Sequence, residues 1–168
     1  MSISIHQASA PVFIQGLKGL KAVLTKAADL VEAKNWDPDA LLKARLYPDM
    51  FPLIRQVQIA TDFAKGGAAR LAQVEVPAWD DIETSFEELI ARVDRAIAYV
   101  EGLDPKAFEG AEARDVQLVR RGETHRFNGL DYLQGQAMPN FFFHVTTAYA
   151  ILRHNGVEVG KRDFLGTA

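Results

Sequence analysis

The sequence predicts an all-α domain, a four-helix bundle with a small hairpin-like insertion between its third and fourth long helices. Three observations predict it. Four segments repeat apolar residues at steps of three and four, capping signals bracket those segments, and at one stretch only, about Val116–Asn128, the period falls to two. A chain of 168 residues is sized for one domain, so a single domain over 1–168 follows.

The first helix is predicted over about Ala8–Asn35, where Val12, Phe13, Leu17, Leu20, Leu24, Ala27, Ala28 and Val31 form one stripe. Asn35-Trp36-Asp37-Pro38 ends it, because a residue before proline is pushed out of the α region, and Asp37 can cap a short turn near Ala40–Ala44. The second helix is predicted over about Met50–Gln73, with Asp49 as cap and Pro52 in the first turn, where its missing N–H has no intrahelical partner. Gly66-Gly67 inside it costs about 1 kcal/mol per glycine, which implies that another backbone packs close there. Thr84-Ser85-Phe86-Glu87 reads as a capping box with Thr84 as cap, opening a third helix over about Ser85–Glu101. Leu89, Val93, Ile97 and Val100 mark its buried face, and Glu87, Glu88, Arg92, Asp94 and Arg95 its wet side. Asp80-Asp81 before it reads as solvated charge. The fourth helix starts at Pro139 and ends at Asn155-Gly156, a proline-first and glycine-last signature.

Composition narrows the function. With 48% hydrophobic and 24% charged residues the chain is an ordinary globular one. A net charge of -3 supplies no field for phosphate backbones, so nucleic-acid partners are disfavoured. The absence of cysteine excludes disulfides, thiolate metal sites and a cysteine nucleophile. No apolar run reaches the ~18 residues of a membrane span and no export signal opens the chain, which together predict a cytoplasmic protein without a membrane partner. Phe13, Ile14, Trp36 and Trp79, with the apolar fourth helix, exceed what one bundle interior needs, and a homodimer is expected.

Candidate chemistry lies where polar residues interrupt apolar stripes. With His144 at zero on the fourth helix, Asn140, Thr147 and His154 fall within about 80° of it, on a helix otherwise rich in Phe141, Phe142, Phe143 and Val145. One reading makes His144 a hydrogen-bonded core histidine, Asn140 a helix-starting residue and His154 a cation at the helix C-terminus; the other makes them a polar pocket. Gln56 is the second anomaly, in line with Ala60 and Phe63 on the face toward which Pro52 and Asp49 point. A buried amide without partners costs about 1–3 kcal/mol, so Gln56 must find a hydrogen bond, water or a ligand. No H-E-x-x-H, Glu-x-x-His pair or G-x-S-x-G is present.

Three blocks are more particular. Met138-Pro139-Asn140-Phe141-Phe142-Phe143-His144-Val145-Thr146-Thr147-Ala148-Tyr149 followed by Ile151-Leu152-Arg153-His154-Asn155-Gly156-Val157, taken with Pro48-Asp49-Met50-Phe51-Pro52-Leu53 and Lys161-Arg162-Asp163-Phe164-Leu165-Gly166, resembles a bacterial family of unknown function within the DinB/YfiT-like superfamily. The resemblance covers nearly the whole chain and implies an up-down-down-up topology for the four helices. It further implies a divalent-metal site of three histidines, one on the second helix and two on the fourth, at the positions held here by Gln56, Asn140 and His144. Two of three imidazoles are missing, and amides are weak ligands for zinc or nickel. The expected function is therefore that of a metal-free small-molecule-binding or structural bundle with a degenerate metal site. Its pocket is Gln56, Asn140 and His144, supported by Asp49, Tyr149 or His154, with no cofactor. The alternative is a metal- or thiol-dependent transferase, isomerase or hydrolase of superfamily type, with His144 as a ligand of one divalent metal such as Zn or Ni, or as a general base.

Overall fold

A computed structural model describes residues 3–167, and of Arg120 the backbone alone. The chain is mostly helical, with one two-stranded antiparallel sheet. Its long helices are α1 (Ile5–Lys34), α3 (Leu53–Ala72), α4 (Phe86–Glu101) and α6 (Met138–His154); α2 (Asp39–Leu42), α5 (Gly129–Tyr132) and α7 (Lys161–Phe164) are single turns. Helix α1 packs on α4 and α6, and α3 packs on the same two. The core between them holds Phe13, Leu17, Leu20, Leu24, Val57, Leu89, Phe141 and Ile151, with Phe13 edge-on to Phe141 at 5.2 Å.

Helix α1 starts three residues before its predicted boundary because Ser4 closes a capping box with Gln7, the hydroxyl accepting from the Gln7 N–H at 3.2 Å. Helix α3 starts later than its sequence suggests. Phe51 precedes a proline and is held out of the α region, so Pro52 becomes the N-cap at ψ 166° and Asp49 lies in the exposed turn ahead of it. The cap of α4 is Ser85, whose hydroxyl accepts from the Glu88 N–H at 3.2 Å; Thr84 instead donates to the Glu88 carboxylate. Gly66 and Gly67 accommodate side chains rather than a backbone. A Cβ on Gly67 would lie 2.9 Å from the Phe13 ring, and one on Gly66 would lie 2.6 Å from Nη1 of Arg70.

The hairpin forms where the period changes. Strands β1 (Asp115–Arg120) and β2 (Glu123–Asn128) pair with Val116 opposite Phe127 and Leu118 opposite His125. Arg121 and Gly122 take φ of 52° and 84°, the two left-handed residues of a tight hairpin turn, and only glycine enters that region without strain. Val116 and Leu118 are buried, which supplies the packing that two strands alone lack.

Helix α6 does not begin at Pro139. The helical path runs unbroken from Gly129, with a π-type turn at Leu133–Ala137 just before the proline. Pro139 offers no N–H to the carbonyl four residues back and its ring crowds that turn, so a wider turn there lets the helix continue.

The apolar residues expected at a dimer surface divide. Phe13 is wholly inside the core, Ile14 packs against it, and Trp79 is half-buried; Trp36 alone of the four is exposed. Among the described residues no helix is long and apolar enough to cross a membrane.

Candidate functional site

Gln56 on α3 and His144 on α6 meet across the contact between those helices. Gln56 is 1% exposed and His144 9%. The Gln56 amide nitrogen donates to the Phe51 carbonyl at 3.0 Å, which turns its Oε1 toward the imidazole, 2.7 Å from Nδ1. An amide oxygen only accepts, so Nδ1 carries the hydrogen and the neutral ring keeps its lone pair on Nε2. Phe63 lies parallel to the imidazole at 5.9 Å and Phe143 meets it edge-on at 5.2 Å. Burial among these rings, reinforced by the positive charge of Arg55, lowers the His144 pKa to about 4. No described residue hydrogen-bonds to Nε2, yet among the described residues no buried side-chain nitrogen or oxygen lacks a partner, so Nε2 reaches solvent.

The other predicted residues stand apart. Asn140 is half-buried and donates back to the Gln136 carbonyl of its own helix at 2.6 Å. Tyr149 packs edge-on to Phe164 of α7 at 5.7 Å. His154 is exposed at the end of α6, and Asp49 is exposed before α3.

A metal finds little here. Its donors would be one imidazole and two primary amides, and both amide nitrogens are held by backbone carbonyls while the Gln56 oxygen is held by the ring. Among the described residues no three His, Cys, Asp or Glu side chains are grouped to hold an ion. The residues do not fit a three-ligand centre.

Beside this pair stands a charge cluster absent from the sequence reading. Arg92 of α4, placed there on the wet side, is 4% exposed. Its Nε donates to the Thr61 hydroxyl at 2.8 Å, Nη1 donates to the Asp80 carbonyl and Glu83 at 2.9 Å, and Nη2 pairs with Asp81 at 2.9 Å and Asp62 at 3.1 Å. Asp81 also pairs with Arg55, the cation that faces His144. Lys65 joins Asp62 at 2.9 Å and lies over the Trp79 ring at 4.3 Å, with Arg95 also 4.3 Å from that ring. Asp80-Asp81 is thus not a free solvated pair: the segment is folded onto α3 and α4 because a buried guanidinium needs every donor satisfied. A periodicity reading cannot see this, since it places Arg92 by its charge rather than by its partners.

The family model described as Domain of unknown function (DUF1993) matches residues 5–165. The chain belongs to the DUF1993 family. A solved structure, a DinB family member protein from Shewanella denitrificans, is 43% identical, covers 98% of this chain and 93% of that chain, and superposes with a TM-score of 0.87. The comparison with curated proteins gave no match. This DUF1993 chain is therefore a DinB-like protein of a family of unknown function, as the C-terminal block and the Pro48–Leu53 segment imply.

Proposed function

We propose that this DUF1993 protein is a metal-free, cytoplasmic small-molecule-binding bundle of up-down-down-up DinB/YfiT-like topology, with a degenerate metal site at Gln56, Asn140 and His144. The bundle reading is supported by the packing of α1 and α3 each on α4 and α6. One observation carries the binding reading: Gln56 is bonded at both ends of its amide, which fixes His144 as a neutral ring with an accepting Nε2. A base with a pKa of about 4 takes protons poorly at neutral pH, so the ring serves better as an acceptor for a ligand O–H or N–H than as a general base.

Metal content separates this from the enzyme reading. Protein purified without an affinity tag should carry no stoichiometric zinc or nickel by elemental analysis, and native mass spectrometry should detect a retained organic ligand that His144→Ala loses. A stoichiometric metal that disappears in His144→Ala would establish the metalloenzyme instead. Combining Gln56→His with Asn140→His should create zinc binding at one equivalent, because three neutral imidazoles complete a site. A folded double variant that binds no zinc would remove the assignment of these positions to a former metal centre.

Self-association as a homodimer belongs to the same reading, supported now by Tyr47, Phe51 and Phe143, which are 66%, 55% and 56% exposed. Sedimentation at tens of micromolar should report twice the chain mass of 18.6 kDa, and a monomer would refute it.

A further inference from the structure

Apart from the Gln56–His144 pair, the DUF1993 chain carries a concavity between α3 and the hairpin. Its volume is about 520 Å³, and Phe63, Leu118, Val119 and Tyr132 give it apolar walls, with Arg70 and Gln117 as polar groups. That size suits a small organic ligand. Val119 stands 74% exposed on this rim, a large apolar side chain left in water.

Arg70 is the informative residue. It is half-buried, and its one hydrogen bond to a described residue runs from Nη1 to the Tyr132 hydroxyl at 3.3 Å. Among the described residues no carboxylate pairs with it, unlike Arg55 and Arg92 of the neighbouring charge cluster. Asp62, on the same rim, is taken by Lys65 and Arg92. Arg70 lies along α3 over Gly66: a Cβ on residue 66 would come within 2.6 Å of Nη1. A planar guanidinium held in this way presents paired N–H groups to a carboxylate.

We infer that the cleft between α3 and the hairpin binds a small organic monocarboxylate, its carboxylate on Arg70 and its apolar body against Phe63, Leu118 and Val119. Among the described residues the cleft holds one cation without a carboxylate partner, which matches one negative charge, and its apolar walls suit an organic body rather than phosphate. The inference rests on Arg70 and the hairpin rather than on the His144 reading, although the two sites share Phe63, whose ring stacks on the imidazole and also lines the cleft.

The test is titration of the isotopically labelled protein with 4-phenylbutyrate, followed by amide NMR. Saturable shifts are expected at Phe63, Arg70, Gln117, Leu118, Val119 and Tyr132. The uncharged 4-phenylbutyramide should bind about tenfold or more weakly to the same unmodified protein, and Arg70→Gln should weaken the acid by a similar factor, as loss of a charge-assisted pair requires. Inorganic phosphate should not displace the acid. Absence of saturable shifts at these amides, or an amide that binds as well as the acid, overturns the site. Displacement by equimolar phosphate overturns the monocarboxylate class.

Discussion

Arg92→Ala should lower the unfolding free energy by about 3–5 kcal/mol, the range for removing one partner of a buried charge cluster. The guanidinium side chain is 3% exposed and satisfies the Thr61 hydroxyl, the Asp80 carbonyl and three carboxylates. Its removal strands Glu83, whose side chain is only 11% exposed, beside Asp62 and Asp81. Three like charges then face each other with Lys65 and Arg55 alone to offset them. Urea titration at neutral pH measures the loss. Adding Glu83→Gln to Arg92→Ala should recover part of it, because one stranded charge is gone; a loss below about 1 kcal/mol would mean that water replaces the guanidinium freely.

His144 should make the protein acid-sensitive in a defined window. Its folded pKa is about 4, below the unfolded value near 6.5, so between these values the unfolded chain binds the extra proton. Stability from this group is present above about pH 6.5 and is lost as pH falls toward about 4. The shift corresponds to about 1–3 kcal/mol once partial solvent access of the ring is discounted. Carboxylates titrate in part of the same range, so the measurement is a difference: unfolding free energies of the parent and His144→Gln from pH 7.5 to 4. The parent should lose more, by that amount. A difference independent of pH would show the ring to be fully hydrated.

The helices were legible because burial and periodicity coincide in them. Leu17, Leu20 and Leu24 on α1, and Leu89, Val93 and Val100 on α4, point inward as their spacing demands. The hairpin was legible for the same reason, since Val116 and Leu118 alternate with exposed neighbours. Gln56 and His144 stood out as polar residues on apolar faces, and they are the pair that meets. Asn140 shares the phase of His144 and yet turns back on Gln136, because the helical path continues upstream and sets that carbonyl one turn back, within reach of the amide. Boundaries were less legible. Ser85 rather than Thr84 caps α4, and Pro52 rather than Asp49 opens α3, because cap choice turns on local dihedrals that adjacent candidate residues do not reveal. Arg92 and Arg70 were invisible for a different reason: their partners lie on other elements, and no local pattern encodes them.

The wide turn at Leu133–Ala137 also divides the molecule's tolerance to changes in length. Upstream of it, along one continuous helical path, lie Tyr132 and the hairpin; downstream lies His144. Inserting a single residue within 133–137, a turn already wider than an α turn, would rotate the upstream part by about 100° and slide it about 1.5 Å relative to α6. Tyr132 would leave Arg70, and the hairpin wall of the cleft would swing aside, while the imidazole stayed on Gln56. A single-codon insertion at this joint would therefore open the hairpin cleft while the Gln56–His144 hydrogen bond stayed in place.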